Sequence, residues 1–278
     1  MSGFLERMAE ASRVRVRDAR ARTPEATLLA RARAAPPPPR LALGAFDVIA
    51  ELKLRSPSAG ALAPDTLDLA RQVEGYARGG AAAVSVLTEP DAFGGSLEHL
   101  GEAAARLAPL GVPVMRKDFL VDPYQVLEAR AAGAGGVLVI VTMLSDDAVR
   151  ALVASAAELG LFVLLEAFDA ADLERIARLE RPAGAALLAG VNCRDLRTLQ
   201  VDAGRFADLA PHLPPGLPAV AESGLERAED AARVAELGYS LALIGSALMR
   251  AGDPAAGVAA FAAAGRGAAA RRGEAACS

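Results

Sequence analysis

Charged side chains of opposite sign recur in this sequence where short apolar runs end. In ELKLRSPSAG, Glu51 and Lys53 lie two residues apart, so in an extended strand they project from the same face. Lys117 ends the run VMRK, and Glu166 follows the apolar run LFVLL. Two amines and two carboxylates that converge can donate and accept protons. The pattern therefore indicates general acid–base chemistry.

Each of these charges also has a purely structural interpretation. The Glu51–Lys53 pair could be a buried ion pair that serves only the fold. Lys117 could be a solvated loop lysine, and Arg116 beside it must point away from the face that Lys117 occupies. Asp118 is expected to face outward or to cap the next helix. Charges at several strand ends favour the catalytic interpretation.

The segment AGVNCRDL adds a planar amide and a guanidinium. Asn192 and Arg194 lie two residues apart, on one face, and could fix a carboxylate or hydroxyl groups. Arg194 could equally be a clasp to an acid on a neighbouring loop. Cys193 points the other way and has no histidine nearby, so it is a weak candidate for a nucleophile.

Two later segments, AESG at 221–224 and IGSALM at 244–249, place glycine and serine where a strand passes into a helix. Backbone N–H groups in such turns can bind an anion. In barrels of parallel strands, phosphate commonly binds after strands seven and eight. The pair of segments predicts a phosphate site, with ordinary tight turns as the alternative.

Several chemistries find no support in the sequence. The two histidines, His99 and His212, stand alone, so neither a Ser–His or Cys–His triad nor a histidine-rich metal site can be assembled. No GxGxxG follows the first strand, which removes the usual dinucleotide signature. The net charge of −4 argues against a nucleic-acid partner. We expect no metal and no cofactor.

The elements that must position these residues are repeated βα units. Short runs rich in Val, Ile and Leu alternate with loops and with segments of helical periodicity. The predicted strands are 47–53, 82–88, 113–119, 136–142, 161–167, 187–192, 218–223 and 240–245. They are mostly continuous in apolar residues, as in strands buried on both faces. This predicts a single α/β domain, a (βα)8 barrel whose strand ends converge at one mouth.

The flanks of this barrel differ in composition. We divide the chain into an amino-terminal helical arm with a Pro-rich linker at 1–45, a barrel at 46–264 and a disordered tail at 265–278. Cys193 and Cys277 are far apart, so a disulfide framework is not expected. The longest uncharged run, 131–145, is 15 residues long, too short to cross a membrane. We expect a cytoplasmic protein, a monomer or weak homodimer, with no membrane partner.

Seven motifs in a fixed order give the chain a resemblance to a known family. They are IAELKLRSPSAG, SVLTEPDAFGGS, VMRKDFLVDPYQ, LLEA, GVNCRDLRTL, AESG and LIGSALM. From the arm to about residue 252, the chain resembles the indole-3-glycerol-phosphate synthases of tryptophan biosynthesis. The resemblance implies a carboxy-lyase that closes a ring in 1-(2-carboxyphenylamino)-1-deoxyribulose 5-phosphate, with loss of carbon dioxide and water and without a cofactor.

The resemblance also implies a role for each matching residue. Lys117 would be the general acid that protonates the ketone oxygen, and Lys53 would help to hold the anionic substrate. Glu51 and Glu166 would serve the later proton removals and the dehydration, with Asn192 orienting one of them. The phosphate would be bound by Gly224, Gly245, Ser246 and Ser56. The slot for the aromatic ring would be lined by Phe93, Phe119, Leu196 and Pro57. Two further matches to site positions are Arg194 and Ser223.

Two other interpretations agree less well with the sequence. A phosphoribosylanthranilate isomerase-like barrel would need a cysteine and an aspartate as its acid–base pair, and neither cysteine here ends the first strand. A non-catalytic barrel that binds a phosphorylated metabolite would be expected to lose lysines or glutamates from the mouth. Glu51, Lys53, Lys117 and Glu166 are all present. Their presence favours the enzyme.

Overall fold

The barrel appears in the structure, a computed structural model that describes residues 3–56, 60–61, 67–195 and 200–276. Eight parallel strands form a closed sheet in which each strand pairs with the next and the last pairs with the first. They are β1 Asp47–Leu52, β2 Ala83–Leu87, β3 Val114–Lys117, β4 Gly136–Ile140, β5 Phe162–Ala167, β6 Leu187–Asn192, β7 Ala219–Glu222 and β8 Leu241–Ile244. The predicted fold class and strands are confirmed.

Helices surround the barrel and also form the arm. The arm consists of α1 Gly3–Arg22 and α2 Glu25–Ala34, and the helices that follow are α3 Leu69–Arg78, α4 Leu97–Leu107, α5 Pro123–Ala131, α6 Asp146–Glu158, α7 Ala170–Ala177, α8 Arg205–Leu209, α9 Ala228–Glu236, α10 Ser246–Met249 and α11 Pro254–Ala276. Short polar side chains begin several of them by accepting a backbone N–H, as Ser96 and Asp122 do. Within the described ranges, no helix is both long and apolar enough to cross a membrane.

Strand residues alternate between two apolar clusters. Val48 and Ala50 pack outward against the helices, whereas Ile49, Met115 and Leu164 fill the barrel interior. The interior layer closes the barrel below its mouth, so the mouth is a cavity with a floor and not a channel. The next inward-facing side chains towards the carboxyl ends of the strands, such as Glu51 after Ile49 and Lys117 after Met115, lie directly above this apolar layer.

Helix α1 lies across the mouth. Leu5 and Ala9 are buried in the same cluster as the barrel interior, and Phe4 packs against it. Polar contacts also fix the arm, since Gln125 Nε2 donates to Ser12 Oγ at 2.9 Å and the Tyr124 hydroxyl donates to the Thr23 carbonyl at 2.9 Å. The arm is therefore part of the wall of the site.

The predicted disordered tail is helical over most of its length. Helix α11 continues to Ala276, and Ala268 is fully buried. Arg266 donates to the Phe46 carbonyl at 3.0 Å and to Asp47 at 2.9 Å. Alanine has a high helix propensity, and small side chains allow close packing against the barrel. The expectation of disorder for 265–276 is thus wrong, while 277–278 lie outside the described residues.

Candidate active site

A cavity opens at the carboxyl ends of the strands, where the sequence placed the site. Its lining residues are Phe4, Glu51, Lys53, Leu87, Phe93, Lys117, Asp118, Phe119, Leu138, Ile140, Glu166, Asn192, Arg194, Glu222, Ser223, Leu243 and Gly245. Ten of the fifteen residues singled out from the sequence are among them. Ser56, Gly224 and Ser246 are not, and Pro57 and Leu196 lie outside the described residues.

Two ion pairs organise the charges in this cavity. Lys53 Nζ lies 2.8 Å from Glu51 Oε1, and Lys117 Nζ lies 3.0 Å from Glu166 Oε2. All four side chains are buried to a large extent, because the apolar floor lies below them and the loops surround them. The structure thus brings together the two amines and two carboxylates that the sequence predicted would converge.

The ion pairs set the protonation of their members. Burial by itself would lower the pKa of Lys117, but the carboxylates of Glu166, Glu222 and Glu51 outweigh it and hold that pKa above the ordinary range. Burial would raise the pKa of Glu51, but Lys53 and Lys117 outweigh it and lower that pKa. At neutral pH, Lys117 is therefore a charged acid and Glu51 is an ionised base.

Glu222 at the end of β7 is a third carboxylate in the cavity. It belongs to the segment AESG, which the sequence analysis assigned to the phosphate site. Its Oε2 lies 3.5 Å from Lys117 Nζ. A Cβ atom at Gly190 would overlap the Glu222 carboxyl group, so that strand position has room only for glycine. The signal in the sequence was its position beside Ser223, at the end of a buried strand.

Asn192 and Arg194 lie on the cavity side of β6, as predicted from their spacing. Asn192 Nδ2 donates to Glu166 Oε1 at 3.1 Å, and its Oδ1 accepts the Arg194 backbone N–H at 2.9 Å. The amide therefore orients Glu166 in the position where it also meets Lys117. Cys193 faces the outer core, and burial raises the pKa of its thiol to about 12, which makes it inert.

The ends of β7 and β8 have unusual backbone conformations. Ser223 has a φ of 67° and Gly224 a φ of 73°. Ser223 is the one non-glycine residue with positive φ among those described, and such a conformation is costly for a side chain that is not glycine. Gly245 lies against Glu51, where a Cβ atom would overlap the carboxylate. Ser246 begins α10, so the first N–H groups of that short helix have no partner within it.

Three aromatic rings form one side of the cavity. The ring centroids of Phe93 and Phe119 are 6.2 Å apart, and those of Phe4 and Phe119 are 5.9 Å apart in an edge-to-face arrangement. The sequence predicted Phe93 and Phe119 but not Phe4, which comes from the arm. We call Phe4, Phe93 and Phe119 the aromatic wall.

A buried polar network supports this wall and Lys117 from behind. Asp118 is neither exposed nor a helix cap, and the sequence expectation for it was wrong. It accepts from Arg15 at 2.8 Å, from Thr88 Oγ1 at 2.8 Å and from the Phe119 N–H at 2.8 Å. The two arginines of the network, Arg15 and Arg116, outweigh burial and lower the pKa of Asp118.

Arg15 connects this network to a second acid. Its Nη1 lies 3.6 Å from Glu89 Oε1, and the Glu89 carboxylate accepts the backbone N–H groups of Asp91, Ala92 and Phe93. Because Asp118 holds Phe119 and Glu89 holds Phe93, a single arm residue braces both loops of the aromatic wall. Arg15 is thus a positioning residue and does not itself line the cavity.

Substitution of Arg15 tests this brace. We expect Arg15→Ala to raise KM several-fold with a smaller change in kcat, and to lower the free energy of unfolding by about 1–3 kcal/mol, since buried Asp118 loses a hydrogen-bond donor and buried Glu89 loses a nearby positive charge. Arg20→Ala is the matched control, because Arg20 joins the same helix to Asp122 in an exposed pair. Such pairs contribute about 0–1 kcal/mol. Equal KM values for the two variants in steady-state assays would contradict the brace.

The scarcity of lysine is a further signal of the site in the sequence. The chain has 30 lysine and arginine residues, and only Lys53 and Lys117 are lysines. Both lie in the cavity. An arginine side chain keeps its proton at any relevant pH, whereas an amine can release it. In this arginine-rich chain, the two lysines therefore indicate positions where a side chain that can release a proton is used.

Fold and site together define a class: a (βα)8-barrel enzyme with acid–base groups at the mouth of the barrel. The family model for indole-3-glycerol phosphate synthase matches residues 5–261. An indole-3-glycerol phosphate synthase from a Nocardioides species is 48% identical over 220 residues, which cover 78% of this chain and 80% of that protein. One from Rhizorhabdus wittichii is 40% identical over 264 residues, covering 92% and 97%.

The chain belongs to the indole-3-glycerol phosphate synthase family. It is therefore a carboxy-lyase of tryptophan biosynthesis, and the predicted family and activity are confirmed. Among solved structures, 3-hexulose-6-phosphate synthase from Salmonella typhimurium aligns with a TM-score of 0.58 at 15% identity, over 80% of this chain and all of that one. Thiamine phosphate pyrophosphorylase from Pyrococcus furiosus gives 0.55 at 14%, over 82% and 97%. At such identities the likeness concerns the fold alone.

Proposed function

We propose that the residues of this cavity divide the work of the synthase reaction among them. The observation that carries the proposal is the position of Lys117. Its ammonium group is held by Glu166 at 3.0 Å and stands at the mouth of an apolar-floored cavity whose aromatic wall can hold a phenyl ring. The substrate is 1-(2-carboxyphenylamino)-1-deoxyribulose 5-phosphate, and the products are indole-3-glycerol phosphate, carbon dioxide and water.

Ring closure is the step assigned to Lys117. The ring carbon that bears the carboxylate attacks the ketone carbon, and negative charge develops on the ketone oxygen. Lys117 stabilises that charge and then transfers a proton to it, which leaves a hydroxyl group. An alkoxide is much more basic than an amine, so the transfer is favourable even though the carboxylates raise the pKa of Lys117.

Decarboxylation and dehydration follow on the new ring. Loss of carbon dioxide leaves its electron pair with the ring and restores aromaticity, which supplies the driving force without an added electron sink. Loss of water then needs a proton on the departing hydroxyl, which one of the two lysines supplies, and removal of a proton from the adjoining atom. Glu51 and Glu166 serve the proton removal, and Asn192 orients Glu166. Lys53, paired with Glu51, helps to hold the anionic substrate.

The binding groups lie around this centre. The phosphate is assigned to the backbone N–H groups near Gly224, Gly245 and Ser246, with help from Ser56. The anthranilate ring is assigned to Phe93 and Phe119, which the sequence predicted, together with Phe4. Pro57 and Leu196 belong to the same proposal by resemblance. Arg194 and Ser223 also line the cavity, and we assign both to contacts with the substrate.

The proposal needs no metal or organic cofactor, because acids, bases and rearomatisation account for every step. Within the described residues, no group of three or more histidine, cysteine, aspartate or glutamate side chains is arranged to hold a metal ion. We further propose a cytoplasmic protein that acts as a monomer or weak homodimer.

The test is a fluorescence assay for indole-3-glycerol phosphate with the purified chain, its substrate, EDTA and no added cofactor. Product formation would support both the reaction and its independence of metal. A folded chain that binds the substrate without forming product would contradict the proposal and favour a non-catalytic barrel.

A further inference from the structure

Two carboxylates, those of Glu166 and Glu222, lie beside the single ammonium group of Lys117 at the mouth of the barrel. Glu166 and Glu222 lie 3.0 and 3.5 Å from Lys117 Nζ, and their side chains are 3% and 1% exposed. Glu166 also accepts a hydrogen bond from Asn192. Among the described residues, neither oxygen of Glu222 has a hydrogen-bond donor. Glu222 is therefore the less compensated of the two.

The other charges facing this pair come from several elements. Glu51 on β1 is paired with Lys53 at 2.8 Å, and Arg194 follows β6. Asp118 borders the cavity, but Arg15 and Arg116 compensate it. Once Lys53 is assigned to Glu51 and Lys117 to Glu166, Glu222 has no ammonium group of its own. A buried carboxyl group in that situation takes up a proton instead of remaining charged.

The position of the two carboxyl groups points the same way. Both lie against one ammonium nitrogen, 3.0 and 3.5 Å from Lys117 Nζ, so they are close neighbours. Two ionised carboxylates cannot bond to each other, because neither has a hydrogen to donate. A single proton on one of them allows a charge-assisted O–H···O⁻ hydrogen bond. Burial and the charge of Glu166 both raise the pKa of Glu222 well above its ordinary value, and Lys117 offsets only part of this.

We propose that Glu222 is protonated at neutral pH in the ligand-free chain and donates a hydrogen bond to Glu166. The pair then carries one negative charge, which Lys117 balances. Protonation of Glu222 thus removes one negative charge from the cavity that Lys53, Lys117 and Arg194 also line. The smaller negative charge favours a substrate with a phosphate and a carboxylate, a consequence that rests on the proposed function.

Protonation makes stability depend on pH in a definite direction. The unfolded Glu222 side chain titrates near 4.5 and the folded one at higher pH. Between these two values the folded chain keeps a proton that the unfolded chain releases. The free energy of unfolding therefore falls as pH rises through this window. Glu222→Gln has no proton to release at this position and should lack that part of the decline.

Infrared difference spectroscopy on the ligand-free full chain tests the proton directly. We expect the C=O band of a protonated carboxyl group at pH 7 in the wild type and in Glu174→Gln, a control at an exposed position of α7. This band should lose most of its intensity in Glu222→Gln, and a weak band should remain from Asp172, whose pKa is raised to about 6 by burial. A band of undiminished intensity in Glu222→Gln would overturn the proposal. The wild type alone gives a second test, in which the pH is raised from acid values. Disappearance of every band of a protonated carboxyl group by about pH 5 would also overturn the proposal.

Lysine NMR then shows which carboxyl group carries the proton. Because the chain has only two lysines, ¹⁵N labelling of lysine gives two side-chain resonances. Glu222→Gln replaces a neutral acid with a neutral amide and should leave the Lys117 resonance nearly unchanged, whereas Glu166→Gln should shift it. The reverse pattern would place the proton on Glu166 and overturn the assignment. Neither measurement needs turnover, so a chain without synthase activity would leave these results standing.

Discussion

Lys117→Ala is expected to give a folded protein whose kcat is lower by about 10²–10⁴-fold, the range for loss of one well-placed proton transfer. The ammonium group stands between Glu166 and Glu222 at the mouth of the barrel. In the proposed mechanism, this variant lacks the group that stabilises and protonates the ketone oxygen during ring closure. Steady-state and single-turnover fluorescence assays of product formation measure the loss, and circular dichroism checks the fold.

Lys117→Arg is the matched control for charge. The guanidinium group keeps the positive charge but does not release its proton. We expect this variant to bind substrate more tightly than Lys117→Ala and to remain nearly inactive. A Lys117→Ala variant within tenfold of the wild-type kcat would show that this lysine is not the general acid.

Glu51→Gln is expected to have the second largest effect, again a loss of about 10²–10⁴-fold in kcat. The substitution keeps the shape that fits against Gly245 but removes the charge that pairs with Lys53 at 2.8 Å. Lys53 and Lys117 hold the pKa of Glu51 below its ordinary value, so this base is ionised throughout the neutral range. We therefore expect the wild-type kcat to show no acid limb from Glu51 between pH 5 and 8.

Glu236→Gln serves as the control for this variant, because Glu236 is an exposed residue of α9 that pairs with Arg271. It should retain the kcat and KM of the wild type. If Glu51→Gln and Glu236→Gln had the same kcat, Glu51 would have no part in proton removal.

Much of the barrel was predictable because its signals are local. A strand buried on both faces needs a continuous apolar run, and a charge at its end stands out against that run. The alternation of side chains then decides which neighbours share a face, as with Glu51 and Lys53 or Asn192 and Arg194. Parallel strands in a closed sheet bring such ends together without any knowledge of loop structure.

The parts that could not be predicted depend on partners distant in the chain. Asp118 is buried because Arg15, 103 residues away, reaches it from the arm. Phe4 joins the aromatic wall only because α1 crosses the mouth of the barrel. The helical end of the chain depends on Arg266 meeting Phe46 and Asp47. The sequence immediately around each of these residues does not specify contacts with such distant partners.

The polar network around Arg116 has a consequence for strand alignment. Arg116 points away from the cavity and is bound by Asp118 at 3.1 Å, Glu128 at 3.0 Å and the Gln125 carbonyl at 2.8 Å. A register slip of one residue in β3 would exchange the two faces, so that Arg116 entered the barrel and Lys117 faced α5. In the slipped pairing, Asp118 and Glu128 would lose the guanidinium group that binds them. Arg116 therefore specifies the register of β3, and the same side chain fixes both the alignment of the sheet and which cation faces the cavity.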